Sequence, residues 1–309
     1  MTKRKSANSA VNPDPGGAKH DVRHRTLTID GLQIFYREAG PADAATLVLL
    51  HGFPSASHQY ARLIDRLSNR FHLLAPDYPG FGYSTAPASS TTGGSFDYTF
   101  DHLADITERF LTKLRVNRFF VYVFDFGAPV GYRIATRHPD WILGVIAQNG
   151  NAYEVGLGPH MQPARRFWTD RAGMEDTIRG ALTLGATRAQ HVEGAADPER
   201  VSPDSWSLDQ YWLDTPGRAQ AMLDLLYDYQ SNVALYPAWQ RWLREYQPPL
   251  LLPWGRNDKF FPEAGARAYL MDVPDAELHL LDGGHFVLDE YVDTVAMLIC
   301  DFIDRRSAR

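Results

Sequence analysis

Short runs of consecutive apolar residues alternate along this chain with longer stretches in which apolar residues recur every three or four positions. The first pattern marks strands buried on both faces, and the second marks amphipathic helices. Arg25 to Asp30 and Leu32 to Glu38 alternate about Asp30-Gly31, a two-residue hairpin signal. Leu47 to Leu50, Phe71 to Ala75, Phe119 to Phe124, Ile142 to Gln148, Leu250 to Trp254 and Glu277 to Leu281 read as further strands. Helical patterns fall between them, at about His58 to Leu67, Asp101 to Leu114, Gly131 to His138 and 289 to 305. From 151 to 246 the chain carries Trp168, Trp206, Trp212, Trp239 and Trp242, helical stretches and no convincing strand. A β/α series interrupted by one helical block predicts an α/β fold of about eight mostly parallel strands with an inserted helical cap. The expected organisation is a flexible leader over 1–24, a core over 25–150 and 247–309, and a cap over 151–246.

Composition narrows the class without choosing a chemistry. The 309 residues are 44% apolar, so the chain is long enough to bury a substantial core. The net charge of −6 gives no electrostatic reason to expect nucleic acid or an anionic membrane as a partner. Cys300 stands alone, which excludes an intramolecular disulfide and a multi-cysteine metal site, and its apolar neighbours place it in the core. No apolar stretch reaches the length of a membrane span. The first residues are basic but lack the apolar run of a signal peptide, so the cytoplasm is the expected compartment. Only His20 and His24 are spaced like a helical ligand pair, and they lie in the expected leader, so no metal site is expected.

The candidate chemistry sits where strands end. The run Phe119 to Phe124 stops at Asp125, with Phe126 and the small residues Gly127 and Ala128 behind it. That is the shape of a nucleophile elbow with Asp at its tip; the plainer reading is a helix N-cap. Two further strand ends carry polar residues able to meet it. Trp254-Gly255-Arg256-Asn257-Asp258 follows one, and Asp282-Gly283-Gly284-His285 follows the last. In a parallel sheet the three lie on one edge, where ligands are handled. His285 then has the pKa of a general base, Asp258 fixes its tautomer, and Asp125, ionised near neutral pH, attacks carbon directly. A lone loop histidine is more often structural; three matching strand ends favour the triad. His51-Gly52-Phe53-Pro54 follows another strand end, and the backbone N–H groups of Phe53 and Phe126 are candidates for an oxyanion hole. His51, Asp77 and Ser84 read as loop and turn architecture.

These residues resemble the α/β-hydrolase superfamily, in particular its Asp-nucleophile branch of epoxide hydrolases and haloalkane dehalogenases. His51-Gly52-Phe53-Pro54 is similar to the branch's HGxP motif, and Asp77 to Ser84 to its D-x-x-G-x-G-x-S turn. The resemblance spans about residues 25 to 305 and implies a hydrolase that passes through an alkyl ester on Asp125. It implies no cofactor and no metal. Epoxide opening needs an acid for the leaving oxygen, which that branch takes from cap tyrosines; Tyr229 in Tyr229-Gln230-Ser231-Asn232 is the candidate, with Tyr227 in reserve and as a substrate contact. Tyr153 is the second donor candidate, ahead of Tyr211. Haloalkane dehalogenases place Trp after the nucleophile and Asn or Trp in the HGxP loop. Here Phe126 and Phe53 stand there, and both are expected to line the substrate site. The expected partners are a small apolar substrate and water, with the chain a monomer or homodimer. The alternatives are dehalogenation, ester or lactone hydrolysis, and a ligand-binding scaffold without turnover.

Overall fold

The computed structural model describes residues 21–307 of the chain. Eight strands form one sheet: β1 (Arg23–Ile29), β2 (Leu32–Ala39), β3 (Thr46–Leu50), β4 (His72–Pro76), β5 (Phe119–Phe124), β6 (Ile142–Gln148), β7 (Leu250–Gly255) and β8 (Glu277–Leu281). Their spatial order is β1-β2-β4-β3-β5-β6-β7-β8. β1 and β2 form the antiparallel hairpin, β2 joins β4 antiparallel, and every later pairing is parallel. All eight strands stand where the apolar pattern puts them. β1 begins at Arg23, inside the stretch expected as leader, because His24 stacks on Phe35 and pairs with Arg37 across the hairpin. Residues 1–20 of the expected leader, His20 among them, lie outside the described residues.

Among the described residues ten α-helices accompany the sheet: α1 (Ala61–Leu67), α2 (Phe100–Lys113), α3 (Gly127–Arg137), α4 (Gln162–Thr169), α5 (Arg171–Arg179), α6 (Leu184–Val192), α7 (Pro203–Leu213), α8 (Arg218–Tyr246), α9 (Glu263–Asp272) and α10 (Leu288–Ser307). The strand period of two builds the two core layers directly. On β5, Phe119, Val121 and Val123 enter the layer that α2, α3 and α9 cover. Phe120, Tyr122 and Phe124 enter the opposite layer, against α1 and α10. With both faces covered, the strand is apolar at every position, which is why it reads as an unbroken run. Cys300, expected in the core, is only half-buried on α10. Helices α4 to α8 form the inserted helical region, between β6 and β7. Among the described residues no helix is long and apolar enough to cross a membrane.

Candidate active site

Asp125 occupies a tight turn between β5 and α3, with φ at +48°. The helix starts at Gly127, four residues earlier than its periodicity predicts, so Asp125 stands directly above the first helical turn. Two glycines make room for it. A Cβ on Gly127 would overlap the Leu50 carbonyl, and one on Gly52 would overlap the Asp125 side chain. The chain therefore brings the His51-Gly52-Phe53-Pro54 loop against the carboxylate. The Phe53 N–H donates to Asp125 Oδ1 at 2.6 Å, and the Phe126 N–H also donates to this carboxylate. Burial raises the Asp125 pKa to about 6, although His285 and these two N–H donors oppose the rise.

His285 faces Asp125 from the far side, its Nε2 lying 3.8 Å from Asp125 Oδ2. That is too long for a direct hydrogen bond. Its Nδ1 is 2.7 Å from Asp258 Oδ2. Burial depresses the imidazole pKa, but the charge and hydrogen bond of Asp258, with Asp125 beyond, outweigh burial and raise it overall. Asp258 is buried with both oxygens engaged: Oδ1 accepts from the Phe260 N–H at 2.7 Å, and Oδ2 also accepts from Asn149 Nδ2 at 2.8 Å. Asn149, at the end of β6 with φ +44°, also accepts the Gly255 N–H, at 2.9 Å. It locks the end of β6 to the end of β7 and holds the acid that orients the histidine. The sequence reading missed Asn149, although Asn before Gly150 at a strand end was the available signal. Phe124 packs on the imidazole at 4.7 Å between ring centres.

The loop histidine and the following turn are architecture, as expected. His51 Nε2 accepts the Tyr78 N–H at 3.2 Å, and burial lowers its pKa to about 4, so the ring is neutral. Asp77 accepts the N–H groups of Ser57 and Tyr83 at 2.7 and 2.9 Å, and the Ser84 hydroxyl donates to the Asp77 carbonyl at 2.6 Å.

Aromatic rings wall the site. Phe126 lies 5.6 Å from Phe53, 4.9 Å from Phe100 and 6.1 Å from Tyr229. Tyr229 comes down from α8, fully buried, and its phenol pKa is pushed up by burial, with Tyr236 and Asp125 adding to the rise. Its hydroxyl lies 3.4 Å from that of Tyr236, which accepts from Asn151 Nδ2 at 3.1 Å. Tyr236, seven residues on along the same helix, was missed by the sequence reading; a spacing of two turns was its only signal.

Two predicted residues lie elsewhere. The Tyr153 hydroxyl donates to Asp272 Oδ2 at 2.8 Å, and Arg244 holds the other Asp272 oxygen at 2.9 Å. Its ring packs edge-on against Tyr269 at 4.8 Å. Tyr153 is thus committed to a buried structural bond on α9 and is corrected from proton donor to packing residue. Tyr227 packs against Phe167, with the Arg171 guanidinium 4.8 Å from its ring, and lines an open acidic cleft of about 470 Å³ with Asp97, Asp101 and Asp228. It points away from Tyr229 because residues two apart on a helix face different sides. Tyr211 is exposed. Among the described residues no group of three or more His, Cys, Asp or Glu side chains is placed to hold a metal.

Comparison with known proteins places this geometry. A family model described as alpha/beta hydrolase fold matches residues 45–291. An uncharacterized hydrolase of Saccharomyces cerevisiae, YNR064C, is 37% identical over 278 residues, covering 88% of this chain and 94% of the yeast protein. A haloalkane dehalogenase of Psychrobacter cryohalolentis is 36% identical over 282 residues, with 88% of each covered. Epoxide hydrolase 2 of Caenorhabditis elegans is 22% identical over 311 residues, covering 97% of this chain and 84% of that protein.

Proposed function

The chain belongs to the alpha/beta hydrolase fold family, and from that premise we propose that it is a hydrolase that opens an apolar epoxide to a diol through an ester on Asp125. The observation that carries the reading is the Tyr229 phenol. It is buried, its pKa is raised so that it keeps its proton, and its ring packs on Phe126, the neighbour of Asp125. Residues 151–246 act as the cap that brings it there, over a core of 25–150 and 247–309.

In the first step Asp125 Oδ2 attacks an epoxide carbon. The C–O bond of the strained ring breaks, and the leaving oxygen takes the Tyr229 proton. In the second step a water fits between His285 Nε2 and the ester, loses a proton to the imidazole and attacks the carboxyl carbon. The negative charge gathers on Oδ1, to which the Phe53 N–H already donates, with the Phe126 N–H also directed at this carboxyl group. Asp258 stabilises the imidazolium. Collapse breaks the bond from the carboxyl carbon to Oδ2, which leaves in the diol with a proton from His285; the water oxygen takes its place in the carboxyl group, which gives up its proton to solvent. Tyr229 regains its proton from the solvent pool.

Dehalogenation is the second reading, favoured by the 36% identity to a haloalkane dehalogenase. Against it, Phe53 and Phe126 have no side-chain N–H for a halide. Trp168, stacked on Tyr229 at 6.0 Å, gives its N–H to the Leu226 carbonyl at 2.9 Å.

The test uses His285→Gln, which keeps the nucleophile and removes the base. Offered an aryl epoxide, it accumulates an adduct of the epoxide's mass on the peptide bearing Asp125, while the unsubstituted enzyme releases diol. Asp125→Asn gives neither. Tyr229→Phe slows adduct formation by about 10²-fold or more, the scale of a lost general acid. Bromide release from a bromoalkane, with epoxides left untouched, establishes the second reading instead.

A further inference from the structure

Arg133 lies on α3, eight residues past Asp125, and is only 2% exposed. Its guanidinium spans three helices. Nε donates to Asp101 Oδ1 on α2 at 2.5 Å, and Nη1 donates to the Pro129 carbonyl of its own helix at 3.3 Å. On α8, Nη1 reaches Asn232 Oδ1 at 2.6 Å and Nη2 reaches Ser231 Oγ at 3.0 Å. The rings of Phe100 and Trp239 lie 5.8 and 5.5 Å from its charged carbon. The helix that begins at the nucleophile is thereby tied to two consecutive residues of the helix that carries Tyr229.

Asn232 shows what the tie costs. A guanidinium has only donors to offer, so the amide oxygen must face it. The amide Nδ2 is then left buried with no partner among the described residues. The loop also closes through the aromatics: Phe100, under the guanidinium, touches both Phe126 and Tyr229, at 4.9 and 5.8 Å. Its backbone N–H donates to Asp228 of α8 at 2.8 Å. Nucleophile, guanidinium, cap helix and phenol form one ring of contacts.

We propose that Arg133 is a positioning residue: by gripping Ser231 and Asn232 it sets the height and rotation of α8 against α3, and so the aim of the Tyr229 hydroxyl over Asp125. The assignment rests on the reading of Tyr229 as the acid for ring opening. Arg133 touches no reacting atom and acts only in the step that uses Tyr229. The second step, run by His285, does not depend on it.

The experiment resolves the two steps by rapid mixing with an aryl epoxide, for Arg133→Met, Arg133→Lys, Tyr229→Phe and the Arg133→Met/Tyr229→Phe pair. Arg133→Met is expected to slow ester formation by about tenfold or more, as small misplacements of a reacting group do, and to leave ester hydrolysis nearly unchanged. Arg133→Lys recovers part of the loss. In the Tyr229→Phe background Arg133→Met costs nothing further. Equal losses in both steps, or the same cost with and without the phenol, overturn the proposal. Ser231→Ala and Asn232→Ala break the tie from the other end with Arg133 in place, and give the same signature should the Arg133 variants fold poorly. A fluorotyrosine at position 229 reports its surroundings by NMR without any turnover. If the parent enzyme opens no epoxide yet the Arg133 variants move that resonance, the epoxide reading fails and the positioning stands. An unmoved resonance overturns the positioning whatever the substrate.

Discussion

At φ +48° the Asp125 backbone lies in the left-handed region, which costs a residue bearing a Cβ about 1–2 kcal/mol. Its carboxylate is also buried, with a pKa of about 6 against the usual 3.8. A carboxyl whose pKa rises on folding withdraws stability from the native state as pH climbs from the lower value to the higher. Asp125→Asn should therefore unfold at a higher temperature than the parent at pH 8, and the gap should close by pH 3.5; melting curves at the two pH values decide it. In the proposed mechanism the same shift sets an acid limb on catalysis, because only the ionised carboxylate attacks. The single-turnover rate of ester formation is expected to fall as pH drops below about 6. Gly52→Ala is expected to abolish ester formation, since its Cβ would overlap the Asp125 side chain and push the loop bearing the Phe53 N–H away from the carboxylate. Circular dichroism on the same sample separates this loss from global unfolding.

Among elements, the helices α6 and α7 meet the core through a buried chain of charges. His191 on α6 bridges Asp209 of α7 at 2.9 Å and Asp289 of α10 at 2.8 Å, and His58, just before α1, reaches the other Asp209 oxygen at 2.7 Å. A cavity of about 390 Å³ lies alongside, lined by His58, Gln148, His191 and Phe286. Burial alone would depress the His191 pKa, but the bonds to Asp209 and Asp289 outweigh it and raise the pKa to about 9. A histidine with a raised pKa stabilises the fold fully below about 6.5, and that contribution drains away as pH rises through about 9. The melting temperature should fall across this window, and His191→Gln should melt lower at pH 6 and show a flatter dependence from there to pH 9.5. Strand ends were the elements most legible in the sequence, because a strand covered on both faces is apolar throughout and its exit to polar residues is abrupt. Asp125, Asp258 and His285 could be read there for that reason. Tyr153 could not, because its partner Asp272 lies 119 residues further along the chain and no local pattern announces it. Tyr227 and Tyr229 are equally aromatic in the sequence; the rotation of α8 against the core decides between them, and part of that rotation is held by Arg133 from another element.

For the whole molecule, the order of elements was readable and their spatial order was not. Eight strand patterns and a helical block establish an α/β fold with an insertion, but nothing local says that β3 slips between β4 and β5. That crossover puts the His51 loop beside Asp125. The insertion has a further consequence for how the chain comes off the ribosome. β6 is complete at Gln148, and its neighbour β7 starts only at Leu250, the two being joined by the Val145–Leu250 and Ile146–Leu251 pairs. At about 5–20 residues per second, some 100 intervening residues take about 5–20 seconds to synthesise. Throughout that interval six of the eight strands wait with the edge of β6 unpaired, the kind of edge that seeds association between chains. The helical insertion is, during synthesis, the reason the core must wait, so yield from cells should respond to chaperone supply and growth temperature more than to any residue of the site.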